Sequence, residues 1–325
     1  MKAAVVRALE PDFKGVTIAE MAVPEPQAGE VLVRMRAASV NFPDVLMTEG
    51  KYQHRPELPF ILGLEGAGAV AALGPGVNGW REGDAVLVGA RAGTFAEYVC
   101  APASSLRPLP QGLSFAEGAA HTTALLTAYV ALVRRAELAA GEWLLVHGAA
   151  GGVGLAAVDL GQHLGANVIA AASSQEKRDF LSARGFAHVI APEPGFRDTV
   201  KALTQSQGAD VIYDPVGGAV FDESVRCINF GGRLLSIGFA SGTIPALPVN
   251  IALIKGFSLM GVRAGEYSRQ YPERGRENLA AIDALASAGL KPHIGARFPL
   301  TEAVAALRQL SGRRAIGKVV VEMGA

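Results

Sequence analysis

The sequence predicts an α/β protein in which a β-rich domain precedes a doubly wound parallel sheet. From Ala119 onward, short apolar runs alternate with helical ones, whereas residues 1 to about 120 show strand-like alternation broken by turn signals. Between those textures lies a glycine-rich bend, His147-Gly148-Ala149-Ala150-Gly151-Gly152-Val153-Gly154, joining an apolar run to a helical one.

The bend organises the centre of the chain. Trp143 to Val146 reads as a short buried strand, and Val153, Ala157, Leu160 and Leu164 recur at helical spacing up to Gly165. Asn167 to Ala172 supplies the next strand. Glycines at 148, 151, 152 and 154 leave the backbone free to turn sharply and to approach a pyrophosphate at the helix N-terminus. The expected pattern is that of a βαβ dinucleotide unit, with Ala149-x-Gly151-x-x-Gly154 in place of a first glycine. A glycine-rich turn between any strand and helix would match the motif alone; the flanking strands are what favour the nucleotide.

At the tip of the second strand, an NAD site places an acid to bond the adenosine ribose. Here the chain has Ser173-Ser174-Gln175-Glu176-Lys177-Arg178, with no acid at 172 to 174. Two hydroxyls and two cations suit a 2′-phosphate, so the expected cofactor is NADPH, with Ser173, Ser174 and Lys177 as its adenosine-end contacts. The same residues also read as a capping box, Ser173-x-x-Glu176, that starts a helix.

Further strands are expected at 187 to 190, 209 to 213, 233 to 237 and 258 to 262, completing six with crossovers. Upstream, Val31, Val33 and Met35 alternate with Leu32, Arg34 and Arg36, and β-like runs follow at Gly68 to Leu73, Ala85 to Val88 and Phe95 to Val99. Turns at Gly74-Pro75-Gly76, Glu82-Gly83-Asp84 and Ala92-Gly93 separate them. After about 265, helices at 275 to 288 and 302 to 310 and a strand at Lys318 to Val321 are expected to rejoin the first domain.

Composition narrows the partners. Thirty basic and thirty acidic residues cancel in 325, and only 18% of residues are charged, which disfavours nucleic acid and acidic membranes and favours small molecules. No run reaches about 18 uninterrupted apolar residues, and the N-terminal apolar run is too short for a signal peptide, so the expected location is the cytoplasm. Cys100 and Cys227 are the only cysteines and are expected as buried, reduced thiols, with no disulfide framework or multi-cysteine zinc lobe. The six histidines, at 54, 121, 147, 163, 188 and 293, show no metal spacing with either cysteine and read as solvated or hydrogen-bonded structural residues.

Several stretches carry a resemblance: Ser39-Val40-Asn41-Phe42-Pro43-Asp44, Gly63-Leu64-Glu65-Gly66-Ala67-Gly68, Leu126-Thr127-Ala128-Tyr129, Gly148 to Gly154, Asp214-Pro215-Val216-Gly217-Gly218 and Gly317-Lys318-Val319-Val320. Together they resemble the zinc-free quinone oxidoreductases of the medium-chain dehydrogenase/reductase superfamily, the ζ-crystallin-like branch. Gly50-Lys51-Tyr52-Gln53, Ile237-Gly238-Phe239-Ala240 and Pro248-Val249-Asn250 are similar to its quinone-oxidoreductase-like members. The resemblance implies a GroES-like catalytic domain at 1–121 and 265–325 around a Rossmann domain at 122–264.

It also implies roles. Asn41 and Tyr52 would face nicotinamide and substrate, with a turn cap and ordinary loop packing as their respective alternatives. Thr127 would contact the cofactor near its nicotinamide end, unless it is a helix-internal hydroxyl. Gly151, Gly152 and Val153 would sit against the pyrophosphate. Val216 and the Gly238-Phe239-Ala240 turn would line ribose and nicotinamide, and Lys318 would close the site or serve as a surface charge. Two departures stand out: Leu46 and Pro192 occupy positions where relatives often have Tyr, which bears on the quinone pocket and on the 2′-phosphate contact.

Zinc-dependent relatives carry Cys near the position of Asn41 and His where this chain has Leu64, and leucine cannot ligate. Without a metal to polarise a carbonyl, an electron-poor acceptor is the expected substrate. The first reading is therefore NADPH-dependent reduction of quinones without metal. The second is reduction of α,β-unsaturated carbonyls, and the third is an NADPH-binding sensor or structural protein without turnover. A homodimer is expected through an apolar edge strand at Phe257 to Val262.

Overall fold

Six parallel strands make the sheet of the central unit, in the order His188–Ile190, Asn167–Ala171, Trp143–His147, Ala209–Asp214, Ile228–Ser236, Ser258–Gly261. The first two crossovers of the chain go one way from Trp143–His147 and the later ones go the other, so that strand is the topological switch point of a doubly wound sheet. Leu145, Ile169, Ile212 and Leu234 lie side by side on one face and close over Phe196, Val200 and Phe221. Because helices cover both faces, these strands are apolar runs without alternation. This computed structural model describes residues 1–324.

The chain divides into two units, Met1–Thr123 with the segment from Asp283 to the C-terminal end, and Ala124–Ile282. The return to the first unit therefore comes at 283, where the sequence suggested about 265. The reason is local. The helices Ala264–Gln270 and Pro272–Ser287 begin within the second unit, where the Arg134 guanidinium donates to Asn278 Oδ1 at 2.7 Å and Glu277 Oε2 at 2.8 Å. Pro272 opens the longer helix three residues before the expected start.

In the first unit a seven-stranded sheet runs in the order Ile294–Pro299, Lys318–Glu322, Glu30–Val40, Glu65–Leu73, Ala85–Gly89, Arg107–Pro108, with Tyr98–Pro102 also paired to Glu30–Val40. A smaller sheet joins Val16–Glu20, Lys2–Val6 and Phe60–Ile61. Val31, Val33, Met35, Val86 and Leu307 fill the core. Several details differ from expectation. The last of the early strands is Tyr98–Pro102, not Phe95 to Val99, because the Phe95 N–H turns back to the Leu62 carbonyl. A strand at Ile294–Pro299 was not foreseen. The helix Phe42–Thr48 was not foreseen either. Cys227 is buried as expected, whereas Cys100 is partly exposed on the outer strand Tyr98–Pro102.

Among the described residues, no helix is long and apolar enough to cross a membrane.

Candidate functional site

The candidate nucleotide site lies in the second unit and starts at Gly148, whose φ of +58° is the left-handed conformation that lets the chain leave the strand Trp143–His147 sharply. The helix Gly152–His163 follows, with Gly151 as its N-cap and Leu155 N–H as the first to reach back, to the Gly151 carbonyl at 2.7 Å. The N–H groups of Gly152, Val153 and Gly154 precede that bond and have no intrahelical acceptor, so they converge on the helix N-terminus, a geometry that suits an anion. Gly154 packs so closely under the bend that a Cβ there would lie 2.2 Å from the Gly148 carbonyl oxygen. The helix buries Leu155, Ala157, Val158 and Leu160, while Val153 and Leu164 at the rim of the expected stripe are only half-buried.

His147, at the end of the strand, is buried and its Nε2 lies 2.8 Å from Ser224 Oγ. Ser224 Oγ already donates to the Val220 carbonyl, so His147 is the donor of that pair. Burial depresses the imidazole to a pKa of about 3, which keeps it neutral beneath the bend.

At the tip of Asn167–Ala171, Ser174 and not Ser173 caps the helix Gln175–Ala183, its Oγ accepting from the Lys177 N–H at 3.3 Å. The capping box read at Ser173-x-x-Glu176 is replaced by a single cap one residue on, because Lys177 at the third helical position cannot return an acceptor, and the exposed Ser173 hydroxyl lies outside the cap. The Arg178 guanidinium folds back to donate to the carbonyls of Ala172 and Ser173 at 3.0 and 2.8 Å and to Gln175 Oε1 at 2.8 Å. A cation is therefore held against the strand tip, beside the half-buried Lys177.

At the end of Ala209–Asp214, the Asp214 carboxylate accepts the N–H groups of Val216 and Gly217 at 2.8 and 2.9 Å. Burial raises its pKa, and these two donors oppose the shift. The Val216 carbonyl accepts from Ser241 N–H and the Pro215 carbonyl from Ala240 N–H. Gly238-Phe239-Ala240 is thereby laced to the 214–218 turn, and Val216 has only its side chain left to present. Phe239 is the exposed member of the turn. Thr127 is half-buried on the helix Phe115–Tyr129.

The first unit has a candidate site of its own, where the ends of three neighbouring strands come together. Pairing of Ala38 with Gly66 sets Ser39 opposite Glu65, and pairing of Val40 with Val319 sets Asn41 opposite Lys318. A buried polar cluster results. Lys318 Nζ donates to Asn41 Oδ1 at 2.7 Å and to Glu65 Oε1 at 3.1 Å. Asn41 Nδ2 donates to Glu65 Oε1 at 3.0 Å and reaches the Ser39 carbonyl and hydroxyl at 3.2 and 3.3 Å. Ser39 Oγ donates to Glu65 Oε1 at 2.6 Å, and the Thr123 N–H to Oε2 at 2.7 Å.

Burial pushes the Glu65 carboxyl up, but the Lys318 ammonium and the donors Ser39, Thr123 and Asn41 outweigh it and hold the group below its usual range. Asp44 behaves differently. It accepts from the N–H groups of Asn41 at 2.8 Å and Gly63 at 3.2 Å, yet burial raises it to about 7 against those donors and the Lys318 charge. Glu65 is thus held as a carboxylate beside Lys318, while Asp44 is the member whose pKa reaches about 7.

Of the expected first-unit residues, Asn41 and Lys318 meet in this cluster. Asn41 does stand at the N-cap position of Phe42–Thr48, the alternative considered for it, but its carboxamide is engaged by Lys318, Glu65 and Ser39. Lys318 is 5% exposed, which corrects the surface-charge alternative. Tyr52 is half-buried against the core of the first unit. Ser39, Asp44 and Glu65 were not singled out as site residues, although the spacing Ser39-x-Asn41 places two polar side chains on one face of a strand.

This donor set does not fit a zinc ion. Leu64 offers no ligand atom, an ammonium holds the place between Asn41 and Glu65, and no group of three His, Cys, Asp or Glu among the described residues could hold a metal.

Comparison with known proteins agrees with this architecture. Residues 27–111 match the model of the alcohol dehydrogenase GroES-like domain, and 152–281 match that of the zinc-binding dehydrogenases. The quinone oxidoreductase-like protein 2 homolog of Nematostella vectensis is 38% identical over 297 residues, 90% of this chain and 81% of that protein. The chain belongs to the quinone-oxidoreductase-like medium-chain dehydrogenase/reductases. Among solved members, the quinone oxidoreductase of Thermus thermophilus, known also as its complex with NADPH, superposes with a TM-score of 0.83 at 34% identity, covering 99% of this chain and all of that one. The JamJ enoyl reductase superposes with a TM-score of 0.87 at 26% identity over the full length of both chains.

Proposed function

We propose that this medium-chain reductase transfers hydride from NADPH to quinones without a metal. The observation that carries the reading is the Lys318–Asn41–Glu65 cluster, because the lysine side chain, donating to both partners, occupies the ground that a Lewis-acid metal would need. Gly151 tightens the bend through its N–H bond to the Gly148 carbonyl at 2.9 Å, and the N–H groups of Gly152, Val153 and Gly154 that follow suit a pyrophosphate. Ser173, Ser174 and Lys177, beside the pinned Arg178, suit an adenosine 2′-phosphate, and NADPH in the solved relative supports the same choice.

Bound there, NADPH supplies the hydride from its nicotinamide ring. The chain's own residues orient and stabilise. Thr127, the Val216 side chain and the Gly238-Phe239-Ala240 turn would set the cofactor's nicotinamide end, and Phe239 offers it an exposed aromatic face. As the acceptor oxygen gains charge it needs a hydrogen-bond donor. The N–H groups of Asn41 are already spent inside the cluster, so the phenol of Tyr52 is the group assigned to that oxygen.

The likeness to an enoyl reductase supports activated alkenes as a second acceptor class, since both acceptors take hydride at an electron-poor carbon framework. NADPH oxidation measured side by side with 1,4-benzoquinone and 2-cyclohexenone separates them. The quinone is expected to give the higher kcat/KM, and the reverse order would transfer the assignment to enones.

We further propose a homodimer formed through the segment 257–262. Ser258–Gly261 is the edge of the six-stranded sheet, with one side of its ladder unpaired. Around it Phe230, Val249, Leu253 and Ile254 are 72 to 83% exposed, a surface that a second copy of the same strand and helix would cover.

A further inference from the structure

The ends of three strands bring Lys318 and Glu65 against the two ends of one carboxamide, and their chemistry leaves that carboxamide a single orientation. An ammonium can only donate, so it must face Asn41 Oδ1, and an ionised carboxylate can only accept, so it must face Nδ2. Turning the amide over would set two donors against each other on one side and two acceptors on the other. The orientation is therefore dictated by charge, within a cluster where Asn41, Glu65 and Lys318 are each at most 5% exposed.

We propose that Lys318 and Glu65 are positioning residues for the hydride-transfer site, acting through Asn41, and that Lys318 is not a cofactor ligand. The inference rests on the reductase reading above and makes it more specific. Three bonds occupy the two hydrogens of Asn41 Nδ2, and one of the Oδ1 lone pairs is taken by Lys318. Anything Asn41 presents to a bound molecule is presented through Oδ1, an acceptor for a hydroxyl or amide donor. Lys318 has two of its three hydrogens committed to Asn41 and Glu65, which ties its ammonium to the first unit's strand ends. Glu65 also accepts the Thr123 N–H and so anchors the same pair to the helix Phe115–Tyr129.

The test is a double-mutant cycle between Lys318→Met and Asn41→Ala, read separately as NADPH affinity from nicotinamide fluorescence and as kcat and KM for 1,4-benzoquinone. With Lys318→Met, the NADPH Kd is expected to stay within about threefold while kcat falls roughly 10- to 100-fold, the scale of a misplaced active-site group. In the Asn41→Ala background the same substitution should change kcat by less than about threefold, because the residue it acts through is gone. Lys318→Arg, which keeps a cationic donor, should recover much of the loss.

Weakening of NADPH binding by tenfold or more with kcat preserved at saturating cofactor would make Lys318 a cofactor ligand and overturn the proposal. Fully additive losses in the cycle would overturn it as well, since a structural role alone would produce them. Should Lys318→Met leave Glu65 buried without its partner and fail to fold, the pair Lys318→Met with Glu65→Gln removes both charges and takes its place in the cycle. Failure of the wild-type protein to bind NADPH would fall on the reductase reading instead.

Discussion

Asp44 shows how one buried side chain links the site to solution conditions. Its pKa is 3.8 in an unstructured chain and about 7 when folded, so across that window the folded protein holds a proton that the unfolded chain has lost. The contribution of Asp44 to stability therefore falls as pH rises from about 4 to about 7 and is flat outside it. His147 has the opposite sign, because its folded value near 3 lies below the ordinary 6.5 and its contribution falls as pH drops through the same range. The Asp44 effect is consequently read as a difference. Asp44→Asn should be less stable than wild type at pH 4.5, with a deficit that shrinks by pH 7.5 in urea titrations. A deficit constant over that range would contradict the raised value. At the substrate, Tyr52→Phe should lower kcat with quinone about tenfold or more and leave NADPH affinity unchanged. An unaltered kcat would release Tyr52 from the role of oxygen donor.

These residue-level properties were only partly legible in the sequence. Asn41 and Tyr52 stood out through a resemblance, but the bond from Lys318 to Asn41 spans 277 positions of chain. Local pattern cannot supply it, because it depends on the register of two antiparallel pairings that meet at one end of a sheet. Asp44 lay in the stretch that carried the resemblance without being singled out, and it is a buried acceptor for two backbone N–H groups.

Among elements, the strand–bend–helix at Trp143 to His163 was the most legible, since glycines, strand and helix all occur within one continuous stretch. Its chemistry gives a direct prediction. Gly154→Ala would place a methyl carbon 2.2 Å from backbone oxygen, which has no rotamer by which to move aside, so the bend itself must open. NADPH affinity should fall tenfold or more while the far-ultraviolet circular dichroism is retained, and undiminished affinity would remove the bend from the binding site. Other elements were less legible for identifiable reasons. Ile294–Pro299 alternates half-buried and exposed residues as a strand should, yet Gly295 and Pro299 read as breakers. The paired run of Phe95 to Val99 looked continuous, and only the return of the Phe95 N–H to Leu62 moves the strand start to Tyr98.

For the molecule as a whole, the order of a β-rich unit, a six-stranded parallel sheet and a returning C-terminal segment followed from the change of texture along the chain. The point of return did not, because helix Pro272–Ser287 carries amphipathic sequence evenly through Ile282 and Asp283, where the units divide. The exposed sheet edge carries a prediction for the assembly. Light scattering at micromolar concentration should give twice the chain mass, and Leu259→Lys, which sets a charge on the edge strand, should shift it toward a single chain. A single-chain mass for the wild type would exclude the dimer. We propose that NADPH reduces its acceptor with no metal at the Lys318–Asn41–Glu65 cluster. The rate of NADPH oxidation by 1,4-benzoquinone, before and after exhaustive dialysis against a chelator, tests it most directly. An unchanged rate is the expected result, and a rate abolished by the chelator and restored by zinc would contradict it.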